Sequence, residues 1–405
     1  MMSNIAHRAP SQSWRYGFCY FALFSIYGIV SPYLQLLLKG LGYSPSIVGL
    51  FLSLFEIVGI AAPLAISHMK AFSSRSKLVL FGASLVLLAS LPSLTLVPLP
   101  LVTGLSLALL AVGERTMVPF MDAEAVSFSA ASAEAGAKGK KGSYGSLRVM
   151  GSLGFICTSF AFGLLPGADK SPPWVIGVAM AATTIFFIAA VFTLPSRRSS
   201  GGEALQARSA DQMSSPRPAP RRFDPIFALG LAIIALNRLA MAPVSSFLSL
   251  YVSDGLHLDG VGGLWALASV AEMPLMLLAS LIIARTGPMA AIAITTCAVA
   301  LRLGIYAAFP SFAGVAAGQL LHSLCYGLYQ PAAMAFVAQR VPEERRPAGM
   351  AIYMGAGVGL PAVIGSALGG FVVEGFGYRA LFISFIGFAV LSLALYLATR
   401  KMFEP

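Results

Sequence analysis

Long apolar runs divide this chain into segments that could each cross a lipid bilayer. Because a helix needs about 20 apolar residues to span a hydrocarbon core of roughly 30 Å, the pattern predicts twelve membrane-spanning helices. The first six lie near residues 14–39, 44–69, 77–96, 99–124, 145–166 and 173–194. The second six lie near 224–253, 260–284, 288–308, 311–338, 346–373 and 378–400. The predicted fold is therefore an all-α membrane protein.

Polar segments separate these runs into two sets of six. Residues 195–222 are rich in Ser, Pro and Arg and have no apolar periodicity, so they indicate a solvated linker. This gives two predicted six-helix bundles, 14–194 and 223–400, with short polar ends at 1–13 and 401–405.

The two predicted bundles begin in similar ways. The stretch KGLGYSPSIVGLF at 39–51 joins the first two spans, and DGLHLDGVGGLW at 254–265 joins the seventh and eighth. Related halves joined by a long linker are typical of secondary transporters, which bind substrate near the bilayer midplane between the halves. The pattern therefore predicts two pseudo-symmetric bundles with a central binding site.

Basic residues are distributed unequally between the two sides of the predicted spans. Most of the 27 Lys and Arg residues fall in the two termini, the linker and the loops on one side, whereas Lys39, Lys170 and Arg379 fall on the other. The positive-inside rule then predicts cytoplasmic termini and a cytoplasmic linker. Topology accounts for the net charge of +11, so no nucleic acid partner is expected.

Overall composition agrees with a membrane protein. The chain has 57% hydrophobic and 11% charged residues, and its mean hydropathy is +0.81. The N-terminal residues lack a cleavable signal pattern, so the first helix is expected to remain as an anchor. The four cysteines lie in predicted spans without metal-site spacing, and we expect buried structural thiols.

Charged side chains inside the spans are the main candidates for function. An ionised group at the bilayer centre costs roughly 2.5–3.5 kcal/mol even on lenient insertion scales, so it is expected to face a protein interior or a wet cavity and to be paired there. The candidates are Arg115, Arg148, Arg238, Arg302, Glu56, Glu114, Asp122, Glu124 and Glu272.

The fourth and fifth spans contain the most specific arrangement of these charges. Arg115 and Asp122 are seven residues apart and so lie within about 20° of each other on one helix face. A short connection makes the two spans antiparallel, so Asp122 and Arg148 can meet. Such a pair could bind hydroxyls or a carboxylate by bidentate hydrogen bonds. A structural ion pair that closes the cytoplasmic end is an equally good interpretation.

Several motifs, in order along the chain, resemble a known family. They are PFMD at 119–122, YGSLRVMGSLGF at 144–155, ALRLG at 300–304, QLLHSLCYGLY at 319–329, MAIY at 350–353 and FGYRALF at 376–382. Together they resemble the lactose permease and phenylpropionate permease-like group of the major facilitator superfamily. The resemblance implies the major facilitator fold, transport by alternating access and a proton as the coupling ion, with no other cofactor.

The resemblance also implies roles for individual residues. Asp122 and Arg148 match the sugar-contacting acid and arginine, and Phe155 replaces a tryptophan on which a sugar ring stacks. Arg302 and His322 match members of the proton-coupling cluster. Cys325 stands where the relay glutamate belongs, and this departure puts proton coupling by that route in doubt.

Four more of the charged residues within the spans are candidates for the solute or proton site. Glu272 is an acid where phenylpropionate-type members also have one, so it is our candidate proton carrier, with Arg302 or Arg238 as its partner. Arg115 and Glu56 are candidate substrate contacts. For Glu56 an acid that is satisfied by a neighbouring helix is about as good an interpretation, and for Arg238 a snorkelling side chain is the alternative.

These observations predict a proton-coupled importer of a small polar or amphipathic solute, such as a sugar or a small aromatic or organic acid. We expect a monomer in contact with lipid in the plasma membrane, which is the inner membrane of a bacterium. The alternatives are an exporter of drugs or lipids by proton antiport and a non-transporting membrane sensor. An enzyme is not expected, because the chain lacks HExxH, GxSxG and an Asp pair in a GxGD context.

Overall fold

The protein is all-helical in the computed structural model, which describes residues 9–68, 75–134, 144–195 and 224–403. The predicted linker and the extreme ends of the chain lie almost wholly outside these ranges. In the first half the helices are α1 (Ala9–Gly40), α2 (Pro45–His68), α3 (Ser76–Leu96), α4 (Pro100–Glu134), α5 (Tyr144–Gly163) and α6 (Pro173–Thr193). A 3₁₀ turn at Ala168–Lys170 lies between α5 and α6.

The second half has more irregular helices. It contains α7 (Pro225–Leu250), α8 (Val261–Thr286), α9 (Pro288–Ala308), α10 (Phe312–Leu320), α11 (Tyr329–Arg340), α12 (Arg346–Ile352) and α13 (Leu360–Thr399). Segments of π-helix occur at Tyr251–Gly255, Ser323–Gly327 and Tyr353–Gly359. Such segments are rare and are frequent at functional sites.

The described structure has fewer membrane-length helices than the twelve predicted spans, because one span is interrupted and two others are joined. Ten helices in the described part of the chain are long and apolar enough to cross a membrane. The tenth predicted span is divided by the π segment at Ser323–Gly327, so neither α10 nor α11 is long enough alone. By contrast, α13 has 40 residues and would be roughly 60 Å long if straight, which is about twice the bilayer core.

Gly377 divides α13 into the eleventh and twelfth spans. Its backbone has φ 81° and ψ 174°, which is a conformation that glycine adopts readily and other residues do not. With this break and the divided tenth span, the helices follow the twelve predicted runs. The predicted all-α fold is confirmed.

Contacts between residues divide the described chain into two compact units. The first unit consists of the residues up to Leu37, Val58–Phe162 and the residues from Ser171 to the end of α6. The second consists of Leu38–Ile57, Gly163–Lys170 and the residues from Asp224 onward. The start of α2 and the connection between α5 and α6 therefore belong to the second unit.

One prediction about the cysteines is wrong. Cys19 and Cys325 are buried, but Cys157 and Cys297 are exposed. Both exposed thiols lie on membrane-spanning helices, on faces that are not packed against other parts of the described chain. An apolar helix has no polar face to reveal its rotation, so the sequence pattern could not separate buried from exposed thiols.

Two helix N-termini in the second unit are capped by carboxylates from distant segments. At the start of α8, Oδ2 of Asp169 accepts hydrogen bonds from the backbone N–H groups of Gly260 at 2.6 Å and Val261 at 2.9 Å. At the start of α2, Oε2 of Glu374 accepts one from the N–H of Ser46 at 2.9 Å. A carboxylate at this position satisfies free donors and is favoured by the helix dipole.

The two capping residues come from corresponding connections in the two halves of the chain. Asp169 comes from the connection between the fifth and sixth spans and caps the eighth, whereas Glu374 comes from the connection between the eleventh and twelfth and caps the second. Ion pairs flank them, between Lys170 and Asp259 and between Lys39 and Asp254. The pseudo-symmetry suggested by the two halves therefore extends to these contacts.

The Asp169 cap predicts a pH dependence of stability. Burial raises the pKa of the Asp169 carboxyl, which outweighs the opposite effect of the Val261 and Gly260 donors. Asp259 raises this pKa and Lys170 lowers it to a smaller extent. The contribution of this group to stability is therefore complete below the ordinary pKa of aspartate, about 3.9. It is lost as the pH rises through the raised pKa of the folded protein.

We expect the stability of Asp169→Asn not to fall over this pH range. The amide stays neutral at every pH and keeps an acceptor oxygen for the cap. The measurement is the thermal unfolding midpoint of the purified protein across mildly acidic to neutral pH. The control is Asp224→Asn, which changes the exposed N-cap of α7. Identical pH profiles for wild type and Asp169→Asn would contradict the prediction, whereas Asp169→Ala should lose the cap and cost about 1 kcal/mol.

Candidate functional site

The first unit contains a polar cluster formed by Asp122 on α4, Arg148 on α5 and Tyr20 on α1. An Nη atom of Arg148 lies 2.7 Å from Oδ1 of Asp122, and the hydroxyl of Tyr20 donates to the same oxygen at 2.6 Å. The predicted meeting of Asp122 and Arg148 is thus present. About a third of each charged side chain is exposed, 34% for Arg148 and 29% for Asp122, so the Asp122 cluster is not sealed in the core.

An aromatic stripe on α1 holds the guanidinium. Tyr20, Phe24 and Tyr27 follow at spacings of four and three residues, which puts them on one helix face. The central guanidinium carbon of Arg148 lies 4.9 Å from the centre of the Phe24 ring and 5.8 Å from that of Tyr20, within the range of cation–π attraction. Gly151 permits this packing, because a Cβ there would meet the Phe24 ring at 2.8 Å.

Arg115 lies on the helix face of Asp122 in the sequence analysis, but in the structure its carboxylate partner is a different residue. Its Nε lies 3.4 Å from Oε2 of the neighbouring Glu114, which is almost fully buried. The methylene part of Arg115 packs against Gly59 on α2. Tyr27 donates a hydrogen bond to the main-chain oxygen of Glu114 at 3.0 Å, and it lies within electrostatic range of Arg115, Arg148 and Asp122. Tyr27 therefore connects the two pairs.

Phe155 lies on the same face of α5 as Arg148, because the two are seven residues apart. Its side chain is partly buried. Its carbonyl oxygen is so near Gly28 of α1 that a Cβ at Gly28 would lie 2.9 Å away. The glycines at 28, 151 and 154 bring α1 and α5 close together, and this close contact presents Arg148 and Phe155 along one side of α5.

The second unit contains a cluster built around Arg302 on α9, whose side chain is almost fully buried. Its Nε donates to the hydroxyl of Tyr306 at 2.9 Å, and one Nη donates to the amide oxygen of Gln319. The other Nη lies 3.1 Å from Nδ1 of His322. Gln319 is itself fixed by donating to the main-chain oxygen of Leu264 at 2.9 Å. All three nitrogens of the guanidinium thus have partners.

His322 connects Arg302 to Glu272. A guanidinium can only donate hydrogen bonds, so Nδ1 of His322 must accept and the ring proton is on Nε2. This Nε2 lies 3.9 Å from Oε2 of Glu272. Among the described residues, Arg302 has no carboxylate within ion-pair distance, so its charge reaches an acid only through the imidazole. The Arg302 cluster therefore consists of Arg302, Gln319, His322 and Glu272.

The π segment at Ser323–Gly327 adjoins this cluster and affects its geometry. The rings of His322 and Tyr326 stack with centroids 4.5 Å apart. Gly327 lies against α8, where a Cβ would be 3.2 Å from Cγ of Glu272. Cys325 is fully buried and lies within the electrostatic range of Arg302. The expectation that Glu272 would pair with an arginine is not met among the described residues, because its partner within ion-pair distance is the neutral imidazole of His322.

Arg238 and its neighbour Asn237 on α7 contact different partners. Asn237 is fully buried and donates to Thr296 at 2.7 Å. Arg238 donates to the hydroxyl of Tyr326 at 2.7 Å, and Glu56 contributes to its electrostatic environment. Adjacent residues on a helix differ by about 100°, which explains the divergence. Glu56 lies in the second unit and within electrostatic range of Arg238.

Sequence reasoning missed the tyrosines and the glutamine of both clusters. Tyr20 and Tyr27 were visible as an i, i+7 pair in FCYFALFSIY, and Gln319 opens the motif QLLHSLCYGLY. Polar uncharged residues carry a weak signal in an apolar helix, whereas charged ones carry a strong signal. In the part of the chain that the structure describes, no group of three or more His, Cys, Asp or Glu could hold a metal ion.

Comparison with known proteins identifies the family of the chain. Residues 13–384 match the MFS_1 like family. The chain is 27% identical over 245 residues to a maltose permease of Geobacillus stearothermophilus, and the alignment covers 60% of each protein. It is 23% identical over 380 residues to the transporter YwbF of Bacillus subtilis (strain 168), covering 93% of this chain and 90% of that one.

Solved structures share the fold at low identity. The nucleoside transporter NupG superposes with a TM-score of 0.73 at 15% identity, covering 97% of this chain and 99% of that one. A bacterial homologue of the human lysosomal transporter Spinster superposes with a TM-score of 0.70 at 13% identity, covering 98% of both chains. The chain belongs to the MFS_1 like family, and it is a secondary transporter of the major facilitator type rather than an enzyme.

Proposed function

We propose that the chain is a proton-coupled importer of a small polar solute, with a sugar as the first candidate and a small aromatic or organic acid as the second. The Asp122 cluster would bind the solute and the Arg302 cluster would carry the proton, by alternating access. We assign the chain to the lactose permease and phenylpropionate permease-like group on its motifs. It would act as a monomer in the plasma membrane of a bacterium, with both termini in the cytoplasm.

The chemistry of the Asp122 cluster supports solute binding. It combines a carboxylate that accepts, a guanidinium with five N–H donors and aromatic faces at Tyr20 and Phe24. Hydroxyl pairs suit such acceptors and donors, and the apolar face of a sugar ring suits an aromatic surface. The partial exposure of both charged side chains leaves hydrogen-bonding capacity for a ligand. The similarity to a maltose permease also favours a sugar.

Coupling through Glu272 is supported by the isolation of Arg302 from other acids. A buried charge is costly unless it is compensated, and Glu272 is the carboxylate on the far side of the His322 ring from Arg302. Protonation of Glu272 would remove the negative charge that lies 3.9 Å from Nε2 of His322. It would thus destabilise the present arrangement around Arg302. A change of protonation at one carboxyl could therefore favour one conformation over another.

The experiment that tests this function is counterflow in proteoliposomes. Protein would be reconstituted into liposomes loaded with unlabelled sugars, nucleosides, or aromatic and organic acids, and uptake of the labelled solute would be followed with and without an inward proton gradient. Saturable sugar counterflow, and accumulation driven by the gradient, are expected. Gradient-driven efflux of apolar drugs or lipids would favour an exporter. Saturable binding without flux would favour a sensor.

A further inference from the structure

A basic pocket in the second unit lies apart from both clusters. It has a volume of about 320 Å³ and forms where α8 and α11 end, α9 begins and the chain leaves α13. Its basic lining residues are Arg285, Arg340 and Arg400. These helix ends are all on the side that the charge distribution predicts to be cytoplasmic.

The lining of the basic pocket is strongly biased towards positive charge. Among the residues that the structure describes, three arginines line it and no acid does. Arg340 donates from one Nη to the main-chain oxygen of Met402 at 3.1 Å. Its Nε is buried without a hydrogen-bond partner. Arg285 and Arg400 are exposed and form no ion pair with a described acid. Such charges attract an anion.

The start of α9 adds main-chain donors to the same wall. Gly287 precedes the helix with φ 84°, and Pro288 occupies its first turn. Gly287 and the first residues of α9, Pro288, Met289 and Ala290, line the pocket. Pro288 has no N–H group and that of Gly287 donates to Ile283, so the main-chain donors that remain at this end are those of Met289 and Ala290, where the helix dipole favours an anion. The helix N-terminus and the arginines therefore both favour a negatively charged ligand.

The other side of the basic pocket is aromatic and adjoins exposed apolar surface. The rings of Phe336, Tyr396 and Phe403 line it. Leu281, one turn before Arg285, and Leu397, three residues before Arg400, are both exposed. Each of these leucines thus places apolar surface within about one helical turn of an arginine, which is the arrangement that a lipid with an anionic headgroup requires.

We propose that the basic pocket binds a phosphate group, supplied either by an anionic phospholipid headgroup or by free phosphate. Guanidinium groups bind phosphate by paired, charge-assisted hydrogen bonds, and basic pockets between helices on the cytoplasmic side suit anionic headgroups. The neighbouring leucines favour the lipid as the source. The site is separate from the solute and proton sites, so it does not depend on the function proposed above.

The test is titration of purified, delipidated protein with phosphatidylglycerol, phosphatidylcholine or inorganic phosphate, with the thermal unfolding midpoint and native mass spectrometry as readouts. The pocket variant is Arg285→Gln with Arg400→Gln, since both side chains are exposed and the fold should tolerate the change. The matched control is Arg346→Gln with Lys401→Gln, which removes the same charge from neighbouring exposed positions outside the pocket.

We expect phosphatidylglycerol to raise the midpoint of wild type and control, with affinities within about twofold of each other. The pocket variant should bind about 25-fold more weakly, because each arginine contributes about fivefold. In neutral lipid, inorganic phosphate could raise the unfolding midpoint as much as phosphatidylglycerol does. That result would identify the free anion as the source of the phosphate group. Equal affinities for the pocket variant and the control, or no response of wild type to either anion, would overturn the proposal.

Discussion

Arg148→Lys is expected to weaken solute binding by roughly two orders of magnitude while the protein remains folded. Lysine keeps the charge but loses the planar fork, so it cannot contact Asp122, the Phe24 ring and a ligand together. Hydrogen bonds to charged groups contribute about 1.5–3 kcal/mol each, which corresponds to this loss. The partial exposure of the pair means that its removal should change stability little.

The measurement is solute affinity in the purified protein, together with the thermal unfolding midpoint as a test of folding. Asp122→Asn should weaken binding comparably, because the oxygen that accepts from Tyr20 and Arg148 loses its negative charge. Glu124→Gln is the matched control on α4, and its effect should be mild. An affinity within a few-fold of wild type in folded Arg148→Lys protein would mean that the ion pair is structural.

Glu272→Gln is expected to abolish accumulation of solute against its gradient while counterflow continues. Counterflow requires no net movement of protons, whereas accumulation does. Glutamine has nearly the size and polarity of glutamate but cannot gain or lose a proton, so the loss should be specific to coupling. Cys325→Ala should retain accumulation, because a buried thiol is a poor proton relay.

Both transport modes should be measured on the same proteoliposomes, with uptake driven by an imposed pH gradient in one arm and by preloaded solute in the other. If Glu272→Gln still concentrates the solute, the proton site lies elsewhere. If wild type does not respond to a proton gradient, the protein is a uniporter or uses another ion. The Arg302 cluster would then be structural.

The sequence by itself determined the class of the protein and one of its contacts. Spans are predicted from hydrophobic length alone, because a bilayer requires every backbone group to be satisfied within the helix. The contact between Asp122 and Arg148 followed from helix period and from the short connection between the fourth and fifth spans. Both conclusions depend on local geometry that the chain specifies over a few dozen residues.

Tertiary structure decided which polar groups act together. The rotation of an apolar helix has no strong signature in its sequence, so the exposure of Cys157 and Cys297 was not predictable. The partner of Glu272 depended on α8 and on the π segment beside His322, which lie some fifty residues apart. The caps at Asp169 and Glu374 join segments that are still more distant. Such contacts arise only when helices pack, because packing and not local pattern decides which faces meet.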